Sequence, residues 1–254
     1  MTRDGPSLVA VSAPSRGRHV THFNGGAHMQ PNSPARGFWG LLTGDERAVL
    51  ADLSLTRDFP PGVTMCHEGD PATHLYVLMA GWVKILSVSD GQERVLALRG
   101  NGDVVGELAG EMAGHRTATL QAIDLVHALI VGYERFTAFL DANPGAAHAY
   151  RRVMTQRWGD AADLLRRHPL TSGAQRLAAL LLELADRHGT VMAGRIDVAM
   201  PLSQEELANL AGTSRATVAR AFKNWRDRGF VRTGQKHITI TNPDSLKRIA
   251  DKHG

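Results

Sequence analysis

The apolar residues change their spacing twice along the chain, and each change marks a change of structure. Phe38, Leu41 and Leu42, then Ala48, Val49, Leu50 and Leu53, recur at the interval of an amphipathic helix, with Thr43 and Asp45 as candidate caps for its second part. Beyond it the runs shorten. Apolar stretches at 75–79, 83–88, 95–98, 117–122 and 126–131 are separated by turn formers: Pro60-Pro61-Gly62, Glu68-Gly69-Asp70-Pro71, Ala80-Gly81, Asp90-Gly91 and Gly100-Asn101-Gly102-Asp103. Short strands joined by Gly/Asp turns at spacings of about ten residues predict an antiparallel barrel or sandwich, here a small β-roll.

From about Tyr133 the period becomes helical. Over 146–167, which holds no proline, a heptad places Ala147, Tyr150, Met154, Arg157, Ala161 and Leu164 on a seam, with Val153, Trp158 and Leu165 beside it. Two partners fit that face, a second copy of the same helix or the chain's own barrel. His168-Pro169 ends the helix, and 169–173 reads as a hinge. A helix over 176–187 then carries Leu177, Leu180, Leu181 and Leu184 on one face. Ser203-Gln204-Glu205-Glu206 is a capping box that starts a helix at Gln204 and runs to Gly212. Thr213-Ser214 caps another from Arg215 to about Arg228, with Val218, Ala219, Phe222 and Trp225 as its apolar face. Two helices joined by a tight Gly turn form a helix-turn-helix, and the segment 230–240 adds a β-hairpin with a basic tip, a wing.

Composition narrows the class. At 254 residues the chain exceeds one ordinary domain of roughly 100–200 residues, so two cores are expected. Residues 1–37, rich in Gly, Pro, Ser, Asn and His without apolar periodicity, are expected to be a disordered tail, and Met29 within it is a second candidate start. No apolar stretch approaches the roughly 18 residues of a membrane span, and the patch at 8–11 is shorter than the roughly seven-residue core of a secretion signal; a cytoplasmic protein without membrane contact is expected. The single Cys66 excludes an intrachain disulfide and any cluster held by several thiolates of one chain.

The net charge of +4 conceals an asymmetry: residues 38–147 carry seven basic and 14 acidic residues, whereas 169–254 carry 13 basic and eight acidic. Seven of the basic ones (Arg215, Arg220, Lys223, Arg226, Arg228, Arg232 and Lys236) cluster around the second helix and the wing, against Asp227 alone. Such a footprint suits a polyanion, and a solvated helix face is the alternative.

These segments together resemble a known family. Gly106-Glu107-Leu108 followed by Arg116-Thr117-Ala118 is similar to the phosphate-binding cassette, and Leu202 to Ala208 with Gly212 to Arg220 is similar to the winged helix-turn-helix, of the superfamily of the cyclic-AMP receptor protein and the fumarate and nitrate reduction regulator (Crp/Fnr). The resemblance covers the chain from about Phe38 onward. It implies an α+β protein with a disordered tail (1–37), a cyclic-nucleotide-binding-like β-roll (38–143), a dimerisation helix (144–168) and a winged helix-turn-helix DNA-binding domain (169–254). It further implies a homodimeric transcription regulator, not an enzyme, whose partners are double-stranded DNA, a second copy and RNA polymerase; a cyclic-nucleotide sensor that acts through protein contacts, with the helix-turn-helix as an interaction module, is the alternative.

On the cassette, the resemblance places a cyclic nucleotide, cyclic AMP or cyclic GMP, or a similar anion. Arg116 would pair with the phosphate, the amides of Leu108 and Ala109 would bind it, Glu107 would accept the ribose hydroxyl, Gly106 would allow close approach and Thr117 would add a donor. A structural Glu107–Arg116 ion pair in a roll without ligand is the alternative. Two positions depart from the pattern. Gly110 and Glu111 stand where relatives carry apolar residues, and Ala161-Ala162 stands where a polar pair meets adenine, so weak binding of cyclic AMP is expected unless another register brings in Asp160 or Asp163. On the DNA side, Arg215 and Arg220 are the candidates for guanine readout. Ala216 replaces a cytosine-reading glutamate, and Ser203, Thr213, Ser214, Thr217, Lys223 and Lys236 are the candidates for phosphates. Arg226 and Arg228 are expected to be solvated. The 12 histidines are scattered, which argues against a metal site, and no nucleophile–base arrangement stands out.

Overall fold

The structure, a computed structural model, describes residues 37–89, 92–112, 114–167, 172–199, 202–234 and 237–251. The tail up to residue 36, most of the hinge and Lys236 lie outside the described residues. The helical lead-in is two helices rather than one, α1 (Gly37–Leu41) and α2 (Gly44–Asp52). Thr43 divides them. Its hydroxyl accepts from the Glu46 amide (3.3 Å) while the Glu46 carboxylate accepts from the Thr43 amide (2.8 Å), so Thr43 and not Asp45 is the cap.

The roll follows as β1 (Leu55–Phe59), β2 (Thr64–Cys66), β3 (His74–Ala80), β4 (Val83–Ser89), β5 (Gln92–Arg99), β6 (Val104–Val105), the short helix α3 (Leu108–Met112), β7 (Thr119–Ala122) and β8 (Val126–Gly132). These strands form two antiparallel four-stranded sheets, β1-β8-β3-β6 and β2-β7-β4-β5. Periodicity does not show β1 or β2, because β1 buries only Phe59 and β2 is half-buried throughout. Between the sheets Tyr76, Leu78, Val83, Leu120 and Val126 form a closed apolar layer.

Next come α4 (Tyr133–Ala142) and the long α5 (Pro144–Arg167). The first half of α5 is spent on its own roll. Ala146, Ala149 and Val153 are buried there with Phe38 and Phe136, and Tyr150 meets both rings edge-on at 6.0 and 5.4 Å. Of the two partners open to the heptad face, the chain's own roll takes Tyr150, Val153 and Met154; Trp158, further along, is 71% exposed. The side chains of Leu164 and Leu165 lie outside the described residues.

The C-terminal part runs α6 (Gly173–His188), β9 (Thr190–Met192), β10 (Arg195–Ala199), α7 (Gln204–Leu210), α8 (Arg215–Asp227), β11 (Val231–Gly234), β12 (His237–Ile240) and α9 (Pro243–Ala250). The wing is half of a four-stranded sheet, β11-β12-β10-β9. The β9–β10 hairpin escapes the sequence reading because its strands expose Val191 and Met192. Leu177, Leu181, Leu207, Phe222 and Trp225 fill this core, and Trp82, just before β4, with Leu86, Val95 and Leu98 of β4 and β5, belongs to the same apolar cluster. The DNA-binding-like fold is thus continuous with the outer face of the roll. No helix of the described residues is long and apolar enough to cross a membrane.

One turn holds the roll's two sheets in register. Gly81 joins β3 to β4 at φ +84°, and a Cβ there would collide with the Leu125 carbonyl and lie 2.8 Å from the Val126 Cα. Gly81→Ala is expected to lower stability by about 1–3 kcal/mol, the usual cost of a forced backbone conformation, as measured by urea denaturation; an unchanged midpoint would show that the turn relaxes freely.

Candidate functional site

Arg116 is held by its backbone before its side chain does anything. Its amide donates to Asp70 and its carbonyl accepts from Gly69 (2.8 Å each), which pins it to the turn between β2 and β3. The side chain then runs inward and is 4% exposed. Nη1 donates to the Gly106 carbonyl (3.3 Å) and the Tyr133 hydroxyl (3.4 Å), Nη2 donates to His74 Nε2 (3.1 Å), and the guanidinium lies 5.3 Å over the Tyr76 ring. All of these partners are neutral. Among the described residues no carboxylate pairs with Arg116, so a buried cation stands without a counter-charge. His74 must present a bare Nε2 to receive the guanidinium, consistent with burial and then Arg116 pushing its pKa down.

The Glu107–Arg116 ion pair that stood as the alternative to a ligand does not form. Glu107 is buried, and its Oε1 accepts instead from Arg157 Nη1 (2.9 Å) of α5. Arg157 also donates to Asp103 Oδ1 (3.0 Å) from Nη2 and to the Val104 carbonyl (2.9 Å) from Nη1. Burial raises the Asp103 carboxyl, but Arg157 and then Arg99 outweigh it and hold the group below the usual carboxylate range. Arg157 breaks the apolar seam of its helix; an arginine in such a place asks for a buried acid, and that anomaly is the signal by which the contact could have been anticipated.

Gly106 has φ +79°, and a Cβ there would lie 2.5 Å from Arg116 Nη1. Gly110 has a related reason, since a Cβ would meet the Tyr133 ring at 2.5 Å while the Tyr133 hydroxyl donates to the Gly106 carbonyl (2.6 Å). The small residue that departs from the family pattern thus makes room for an aromatic lid over the cassette. Ala109 is buried, Leu108 is 36% exposed, Thr117 is exposed, and the Glu111 side chain lies outside the described residues. Asp160 pairs with Arg187 of α6, which removes it as a free acceptor. Sequence reasoning missed His74, Tyr76 and Tyr133, which periodicity assigns to a strand and a strand end.

In the second site, the Ser203 hydroxyl accepts from the Glu206 amide (3.2 Å) and the Glu206 carboxylate accepts from the Ser203 amide (2.8 Å). Glu206 Oε1 also meets Lys84 Nζ of β4 at 3.0 Å, tying the start of α7 to the roll. The turn bends at Gly212 (φ +57°), and Arg176 of α6 donates to the carbonyls of Ala211 (2.9 Å) and Gly212 (2.5 Å). Ser214 caps α8 by accepting from the Thr217 amide (3.2 Å). Val218, Ala221, Phe222 and Trp225 face the core; Ala221 takes the place expected of Ala219, which is exposed. Arg215, Arg220 and Lys223 project outward, Thr213 and Thr217 are half-buried at the turn, and Arg220 Nη2 reaches Thr217 Oγ1 at 3.5 Å. Two expected solvent groups have partners, Arg226 on Thr233 Oγ1 (3.2 Å) and Arg228 over the Phe230 ring (4.5 Å). No group of three or more His, Cys, Asp or Glu side chains among the described residues could hold a metal.

The model of the cyclic nucleotide-binding domain matches residues 56–143, and that of the Crp-like helix-turn-helix domain matches residues 175–249. A CRP-like cAMP-activated global transcriptional regulator of Mycobacterium tuberculosis is 33% identical over 219 residues, covering 83% of this chain and 96% of that protein. The cyclic AMP receptor protein of Thermus thermophilus is 30% identical over 204 residues, 78% of this chain and 91% of that one. Among solved structures, FixK2 from Bradyrhizobium japonicum superposes with a TM-score of 0.67 at 20% identity, over 79% of this chain and 99% of that one, a likeness of fold.

Arg157→Met leaves Asp103 and Glu107 buried and unpaired, and is expected to cost about 3–5 kcal/mol in urea denaturation, with part recovered when Glu107→Gln is added. Asp103, whose folded pKa is lowered, contributes stability above the unfolded value of about 3.9 that is lost as pH falls through the folded one. Asp103→Asn should therefore flatten the acid limb of the stability curve below about pH 4; an unaltered limb would place the acid sensitivity elsewhere.

Proposed function

Because the chain belongs to the Crp/Fnr superfamily of transcription regulators, with a Crp-like helix-turn-helix and a cyclic nucleotide-binding domain, we propose that it is a homodimeric, sequence-specific DNA-binding regulator controlled by a small anionic effector in its roll. The observation that carries the effector is the Arg116 guanidinium, buried and surrounded by neutral partners. A buried cation costs several kcal/mol unless compensated, and a phosphate bound against it supplies the missing charge. The relatives named above as cAMP-activated support a cyclic nucleotide as the class.

The exposed Arg215 and Arg220 on α8 support direct readout, with Ser203, Thr213, Ser214, Thr217, Lys223 and Lys236 as phosphate contacts that set register. Gly106, Glu107, Leu108, Ala109, Arg116 and Thr117 form the effector site. Division of the chain at 37, 143 and 168 separates tail, roll, dimerisation helix and DNA-binding domain. The second half of α5, where Trp158 is 71% exposed, is the surface for a second copy, since an aromatic of that size is costly to leave in water. RNA polymerase is the downstream partner.

Sedimentation is expected to show a dimer at micromolar concentration, and a monomer would refute the assembly. The dimer should favour near-palindromic DNA with half-sites one helical turn apart. Arg215→Ala or Arg220→Ala should cost roughly 1–3 kcal/mol on the preferred sequence and relax specificity, whereas Lys236→Ala should weaken all sequences alike. Equal losses on specific and random DNA for all three would overturn the readout. In calorimetry, Arg116→Ala should reduce cyclic-nucleotide affinity at least tenfold, the effect of losing a charged hydrogen bond of about 1.5–3 kcal/mol.

A further inference from the structure

A cavity of about 430 Å³ opens between β5, the second half of α5, α6 and the end of α7, within the roughly 300–1,000 Å³ typical of small-molecule sites. Ala161 of α5 and Leu180 and Leu184 of α6 give it apolar walls, and six charged side chains, Arg99, Arg157, Asp160, Arg176, Glu183 and Arg187, give it polar character. Five of the six already have partners, Arg176 through the carbonyls of Ala211 and Gly212. Arg187 binds Asp160 and Glu183 (3.3 Å to the latter), and Arg157 binds Asp103 and Glu107. Arg99 is the exception: Nη1 donates to the Leu98 carbonyl (2.7 Å), its buried Nε–H meets no acceptor, and although Asp103 and Glu107 attract it from further off, it forms no direct ion pair among the described residues. Burial, then the neighbouring Arg157, lower its pKa to about 10, so at neutral pH it remains a cation.

The cavity adjoins the cassette through one side chain. Arg157 lines it, and the same guanidinium holds Glu107 at 2.9 Å. Glu107 in turn follows Gly106, whose carbonyl holds Arg116. A nucleotide with its phosphate at Arg116 and its sugar hydroxyl at Glu107 would thus lie beside Arg157, the side chain at which the cassette borders the cavity.

Resting on the effector reading above, we infer that this cavity is the base end of the effector site, and that Arg99 makes it select guanine over adenine. Guanine presents two adjacent acceptors, O6 and N7, which a guanidinium can engage together; adenine presents N7 beside the N6 amino donor, which would face an arginine donor with nothing to receive it. A site whose polar group pairs with one ligand and is left unpaired by the other discriminates more strongly than an apolar wall can. Ala161 offers neither base a hydrogen bond, so the choice falls to Arg99. The ring would also rest on Leu180 and Leu184, side chains of the first helix of the DNA-binding domain, and so touch both halves of the protein.

The test is calorimetric titration of the full chain with cyclic GMP and cyclic AMP. The unaltered protein should bind cyclic GMP at least tenfold tighter. Arg99→Gln, whose amide can both accept from N6 and donate to N7, should weaken cyclic GMP at least tenfold, leave cyclic AMP within about threefold, and so erase or reverse the preference. Leu180→Trp, which fills the cavity without touching Arg99 or the cassette, should weaken both ligands. Equal affinity for the two nucleotides, tighter cyclic AMP binding, or equal losses in Arg99→Gln would overturn the inference. If in those cases Arg116→Ala still abolishes binding of both, the effector reading stands without it; if the unaltered protein binds neither, both fall.

Discussion

The arrangement depends most on how Arg157 is neutralised. One guanidinium takes the carboxylates of Asp103 and Glu107 and the Val104 carbonyl, all at 2.9–3.0 Å, in a place where the side chains on both sides are about a tenth exposed. Water cannot replace any of these partners cheaply, so the long helix is fixed in rotation and in height against the cassette. The apolar contacts of Ala146, Ala149 and Val153 would tolerate some sliding along the roll; the charged contacts would not.

Arg116 and Arg157 lie on either side of Gly106-Glu107 and show opposite degrees of compensation. Arg157 has two carboxylates, and Arg116 has, among the described residues, only neutral partners, one of them a His74 that must stay uncharged to receive it. Had Glu107 paired with Arg116, the cassette would be electrically complete, with little reason to attract an anion. By drawing Glu107 away, the helix leaves Arg116 without a carboxylate partner among the described residues. Tyr133, admitted by Gly110, covers that charge and hydrogen-bonds to the same Gly106 carbonyl.

The DNA-binding half is coupled to the roll by packing more than by charge. Trp82, Leu86, Val95 and Leu98 share a core with Leu177, Leu181 and Phe222, the His188 ring lies 4.4 Å from that of Trp82, and Lys84 meets Glu206 on the third residue of α7. A shift of β4 or β5 is therefore felt at the start of the helix-turn-helix, since close-packed interiors transmit displacement rather than absorb it.

Local chemistry was enough for much of this. The cap at Thr43, the capping box at Ser203, the turn at Gly212, the short apolar runs of β3 and β8 and the amphipathic faces of α6 and α8 are features of residues near in sequence, and they read directly from it. The cassette and the helix-turn-helix were legible for the same reason, as short motifs whose residues act together. Strands β1, β2, β9 and β10 were not, because most of their side chains are exposed or half-buried and carry no clear alternation, and pairing with other strands is what defines them. Nor could spacing reveal the partner of Glu107. Two arginines, 116 and 157, were available to it, and the choice was made by where α5 lies on the roll, a matter of packing across 50 residues of chain. The same holds for Arg99: its sequence position marks a strand end, and only the closure of α6 over β5 leaves its Nε–H without a partner beside a cavity.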